Sequence, residues 1–124
     1  MDSLFPHENL DVWRLSKDLC KLAYAVTKGF PNEERFGLVN QIRRAAVSVM
    51  SNLAEGSGRT STRDQAPFSQ MAYGSLLEVD AQFQLAVDLD YLPQGDYQTL
   101  RRQIAQLAPK ISALRASQLR RRDR

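Results

Sequence analysis

"SNLAEGSGRTS", residues Ser51 to Ser61, decides between two folds. Gly56 and Gly58 flank Ser57, and Arg59 and Thr60 follow, which is the composition of a loop that cradles phosphate. Such a loop needs a strand before it, a wider glycine spacing, and a lysine followed by Ser or Thr. No lysine follows here, and the preceding residues carry a helical pattern, with Val39, Ile42, Ala46, Val49 and Leu53 recurring at steps of three and four. On the far side, Ser61-Thr62-Arg63-Asp64 has capping-box spacing. The stretch reads as a hairpin between two helices, with Gly56 where the first one ends. Arg59, Arg63 and the start of the next helix still offer an anion a place to settle.

The same spacing appears upstream in Val12, Leu15, Leu19, Leu22 and Val26, and downstream in Tyr97, Leu100, Ile104, Leu107, Ile111 and Leu114. No segment alternates with period two over a useful length. Between these lies a segment with two apolar stripes, one of Phe68, Ala72, Leu76, Val79, Phe83 and Ala86, the other of Leu77, Ala81, Leu85 and Leu89. The second stripe marks either a central, well-buried helix or a contact between subunits. Short connections imply antiparallel neighbours. The expectation is a single all-α domain over 1–124, an up-down-up-down four-helix bundle. Its helices span about 9–28, 33–55, 64–91 and 96–120, and a basic carboxyl-terminal tail covers 115–124.

Local signals refine those limits. Gly29 stands where a left-handed residue closes helix one, Asn32 where helix two is capped, and Glu33 and Glu34 in its first turn. Asp96 is a candidate cap for helix four. Pro67 fits the first turn of helix three, and Pro109, inside the fourth stripe, should bend its helix rather than stop it.

Composition excludes several classes. Of 124 residues, 43% are hydrophobic and 25% charged, which is ordinary for a globular domain and not for a disordered chain. Cys20 is the one cysteine, so no internal disulfide forms and a reducing compartment fits. "MDSLFPHENLDVW" lacks the basic and apolar regions of a signal peptide, and no stretch approaches a membrane span. A cytoplasmic protein without membrane contact is expected.

Charge is unevenly placed. Residues 101–124 hold Arg101, Arg102, Lys110, Arg115, Arg120, Arg121, Arg122 and Arg124 against Asp123 alone, and the first hundred residues are net negative. The seven arginines are the candidate nucleic-acid contacts, because a guanidinium donates two parallel hydrogen bonds to phosphate. The plain alternative is a solvated helix end that favours its own dipole.

Asn52, Glu55 and Glu78 fall near the apolar seam. A di-iron bundle would pair such carboxylates with Glu-x-x-His motifs, but the only histidine is His7, outside the bundle. No Ser, Cys or Lys comes with a histidine base and an orienting carboxylate. No catalytic residue, metal or cofactor is expected; Asn52, Glu55 and Glu78 form a polar network that fixes register, with Arg43 or Arg44 in reach.

"LDVWRLSKDL", "FPNEERFGLVNQIRRAAVSVMSNLAEGSGR" and "FSQMAYGSLLEVDAQFQLAVDLDYL", covering roughly Leu10 to Leu92, resemble the family of proteins encoded in intervening sequences of large-subunit ribosomal RNA genes. The family's usual Ser-Ile-Pro-Ser-Asn is Ser48-Val49-Met50-Ser51-Asn52 here, with methionine in place of proline. The resemblance implies a left-handed bundle assembling as a ring of five subunits. It also implies structural roles for the motif residues Gln41, Arg43, Arg44, Asn52, Glu55, Gly56, Ser75 and Glu78. The accessory variability protein of diversity-generating retroelements is similar to this family; it forms such a ring and binds nucleic acid and its reverse transcriptase.

Two functions follow. The first is a non-catalytic homo-oligomeric adaptor, a pentamer, that binds RNA or a ribonucleoprotein through basic surface. The second is a protein-interaction scaffold with no nucleic-acid role, for which Trp13 and Tyr24 are the aromatic candidates.

Overall fold

The computed structural model describes residues 2–121. A 3-10 turn, Pro6–Asn9, precedes α1 (Asp11–Thr27); a second, Asn32–Glu34, precedes α2 (Leu38–Ser57), and α3 (Thr62–Asp88) and α4 (Gln94–Arg121) follow. No strand occurs among the described residues. α1 packs on α2 and α4, and α3 packs on the same two, so α1 and α3 occupy opposite corners.

In each helix one apolar stripe turns inward. Leu19 and Ala23 of α1, Ile42 and Val49 of α2, Leu76 and Phe83 of α3, and Leu100, Leu107 and Ile111 of α4 are buried in one core. A fully buried side chain of this size contributes about 1.5–3 kcal/mol. Propensity alone would leave single helices marginal, and this shared seam is what holds them.

The helix limits differ from the expected ones where a distant contact intervenes. α2 begins at Leu38, five residues late. Asn32 heads its own 3-10 turn, and the Glu34 carboxylate turns back to accept from the Leu38 amide at 3.1 Å. The Tyr91 hydroxyl, from the loop after α3, donates to the same carboxylate at 3.0 Å. Ser61 does cap α3, accepting from the Asp64 amide at 3.1 Å. α3 ends at Asp88, and Asp90 takes a left-handed φ of 62° beyond it, a conformation that short polar side chains tolerate. Asp96 lies inside the first turn of α4 and is not its cap.

No glycine has a positive φ, so Gly29 does not close α1 in the left-handed way. Gly56 lies in the last turn of α2, which ends one residue further on at Ser57. A Cβ on Gly56 would lie 2.7 Å from the Phe68 Cβ, so this glycine lets α2 and α3 approach closely. Pro67 sits past the first turn of α3, in the helix interior, and α4 continues through Pro109 to Arg121. No helix among the described residues is long and apolar enough to cross a membrane.

Candidate nucleic-acid interface and assembly face

From Tyr97 to Arg121, α4 carries Arg101, Arg102, Lys110, Arg115, Arg120 and Arg121 and no carboxylate. Packing divides them. Arg101 is bound to Asp80 of α3, and Lys110 pairs with Asp11 of α1 at 3.1 Å. Arg102 donates to Thr99 at 3.2 Å. Arg115 lies half-buried in a groove between α3 and α4 with Arg63, Pro67 and Leu119. Arg120 and Arg121 are exposed in the last turn. Arg102 and Arg120 are five helical turns apart on the outward face, about 27 Å along the axis. The arginines therefore form a line along α4 rather than one compact patch. Arg122 and Arg124 lie outside the described residues.

The carboxyl-terminal segment is a packed helix through Arg121. Gln118 is buried and accepts a hydrogen bond from the Ser69 hydroxyl at 2.8 Å. Ile111 and Gln118 hold its inner face down, which leaves the arginines around the outer one.

The motif residues of α2 and α3 do not gather into one network. Asn52 donates to the Ser48 carbonyl at 2.9 Å and hydroxyl at 3.0 Å, and Ser48 shares a 2.9 Å hydrogen bond with Ser75 across the helix pair. Glu55 instead pairs with Arg59 at 3.1 Å on the surface, and Glu78 is exposed beside Gln82 of its own helix. Arg43 turns the other way, donating to Thr27 at 3.0 Å with its guanidinium over the Tyr24 ring at 4.6 Å. Gln41 and Arg44 are exposed. The opening loop is settled by the same contacts: Arg59 is held by Glu55 and lies over the Phe68 ring at 4.5 Å.

One interhelical clip has no counterpart in the sequence patterns. Asp80 accepts from the Tyr97 hydroxyl at 2.9 Å, from Gln84 at 2.8 Å, and from Arg101. Burial alone would raise the Asp80 pKa, but the hydrogen bonds from Arg101, Tyr97 and Gln84 outweigh it and hold the carboxyl below its usual range. Burial and the adjacent carboxylate push the Tyr97 phenol up. Gln84 is four residues away on the same helix, but the two partners that tie α3 to α4, Tyr97 and Arg101, are 17 and 21 residues from Asp80, too far for any local spacing rule. Tyr97 at the head of the fourth stripe was the one available signal.

The two stripes of α3 part company. Ala72, Leu76, Val79, Phe83 and Ala86 are core. Leu77, Leu85 and Leu89 are 56%, 47% and 45% exposed, which excludes a helix buried on all sides within one chain. Trp13 is half-buried against the core with the Lys17 ammonium 4.9 Å from its ring centroid, and Tyr24 is exposed under Arg43. Cys20 is buried, which pushes its thiol pKa up and disfavours a thiolate. His7 packs between Phe5 and Trp13. Among the described residues no three His, Cys, Asp or Glu side chains cluster as metal ligands.

A family model described as 23S rRNA-intervening sequence protein matches residues 8–113, most of the chain, ending just before Arg115. No curated protein matches it.

Proposed function

This chain belongs to the 23S rRNA-intervening sequence protein family, and from that premise we propose that it is a non-catalytic, homo-oligomeric adaptor for RNA or a ribonucleoprotein. The observation that carries the reading is α4, whose run from Tyr97 to Arg121 has six cations and no carboxylate. Repeated around a ring of five subunits, the number the resemblance implies, that helix would concentrate positive potential and draw in phosphate. Recognition would be weakly sequence-specific, because the exposed arginines come without an aromatic side chain for bases to stack on.

The bundle in this reading is antiparallel, up-down-up-down and left-handed. In support, contacts between α2 and α3 run in opposite senses, Ser48 meeting Ser75 and Gly56 meeting Phe68. The apolar stripe left on α3 supports self-assembly, and a lone buried cysteine fits a cytoplasmic setting.

Arg102→Gln, Arg120→Gln and Arg121→Gln combined should lower affinity for a structured RNA. The salt dependence should also become shallower, by about one unit of slope for each phosphate that is no longer neutralised. Unchanged affinity and slope would remove α4 as the interface. The second reading, a scaffold for a protein partner, is favoured by Phe36, 85% exposed in the loop before α2. A partner captured equally well after nuclease treatment, and no longer captured by Phe36→Ala, would establish that reading instead.

A further inference from the structure

Two of the surfaces left open on the bundle have complementary chemistries. The first is the outer stripe of α3, in which Leu77, Ala81, Leu85 and Leu89 are exposed and Glu78 and Asp88 flank them. Among the described residues no cation pairs with either carboxylate. The second is a groove of about 390 Å³ along α1, closed on the α2 side by Met50. Tyr24, Ala25 and Met50 line its apolar floor, and Lys17, Lys21 and Lys28 rim it. None of these lysines has a carboxylate partner among the described residues. The lining itself holds three lysines and no acidic residue, and Asp18, beside Lys17 on α1, is the one acid within that stretch of helix.

Resting on the self-assembly reading above, we propose that the outer stripe of α3 docks into the α1–α2 groove of a second copy of this chain, so that subunits join head to tail. Three observations support this pairing over others. α1 and α3 stand at opposite corners of the bundle, so one subunit presents the two surfaces on different sides, which a ring requires. Packing α3 on the α3 of a second copy would instead set Glu78 and Asp88 of both chains against one another in a partly dry contact. The charges also match in length. Glu78 and Asp88 are ten residues apart on one helix, about 15 Å, and Lys17 and Lys28 eleven apart on the other, about 16.5 Å. Leucines then enter the apolar floor while both carboxylates reach ammonium groups at the rim. A nucleic-acid strand would satisfy the lysines but would leave the apolar floor and the α3 leucines uncovered.

Charge exchange tests the pairing by particle mass in solution. Lys17→Glu with Lys28→Glu, and separately Glu78→Lys with Asp88→Lys, should each reduce the assembly to single chains. All four substitutions in one chain should restore the wild-type mass. These positions are exposed, and cooperative melting of each variant checks that the bundle is intact. A lysine-exchanged variant that assembles like wild type, or a fourfold variant that stays dissociated, overturns the head-to-tail pairing while the self-assembly reading survives. A wild-type chain that is itself a single subunit overturns both.

Discussion

A methyl group on Gly56 would have nowhere to go. Its position, 2.7 Å from the Phe68 Cβ, lies against an atom fixed to backbone rather than the tip of a flexible side chain. Alanine normally improves a helix over glycine by about 1 kcal/mol, and here crowding of about 1–3 kcal/mol opposes it. Gly56→Ala is therefore expected to destabilise the chain by up to about 2 kcal/mol in denaturant unfolding, against the usual sign. Asp80 makes a second prediction at this scale. Its folded pKa is depressed, so the clip contributes stability above the ordinary carboxyl range near pH 4 and loses it as pH falls through the folded value. Wild type should weaken along that acid limb, and Asp80→Asn should flatten the limb while lowering stability at neutral pH. An acid limb of equal slope in both chains would mean that another carboxylate governs it. Neither role is readable from local sequence: Gly56 has the setting of a helix end and Asp80 that of a surface acid, because the atoms that define both come from the neighbouring helix.

Individual helices are legible wherever a local period decides them. Steps of three and four place all four, because each needs one apolar face and finds the same core. The start of α2 is misplaced by local signals because Asn32, Glu33 and Glu34 have the composition of a cap; the interaction that delays the helix runs from Glu34 to Tyr91, 57 residues away. The basic helix is legible as charge, and its pairings are not: Arg101 and Lys110 are engaged by Asp80 and Asp11. Its end also carries a prediction. Gln118 is buried against Ser69, so removing residues 117–124 strips a packed turn and leaves a buried hydroxyl without its partner, a cost of about 1–3 kcal/mol. Neutralising Arg120 and Arg121 should leave the melting temperature within error, because both are exposed and make no ion pair among the described residues. If truncation proves as harmless as neutralisation, the Ser69–Gln118 hydrogen bond is not holding α4 in place.

The whole molecule combines a closed apolar interior with an outer surface left unsatisfied. Its charges are segregated, with cations along α4 and around the α1–α2 groove and unpaired carboxylates beside exposed leucines on α3. In the proposed assembly such a subunit would gain by covering an apolar stripe that water otherwise wets. The subunit count therefore bears on the central claim more directly than any binding assay. The decisive measurement is the mass of the purified particle in solution by light scattering, with its ultraviolet spectrum read for copurified nucleic acid. Five chain masses, with an absorbance ratio raised by bound RNA, is the expected result; a monodisperse single chain in dilute buffer would contradict it.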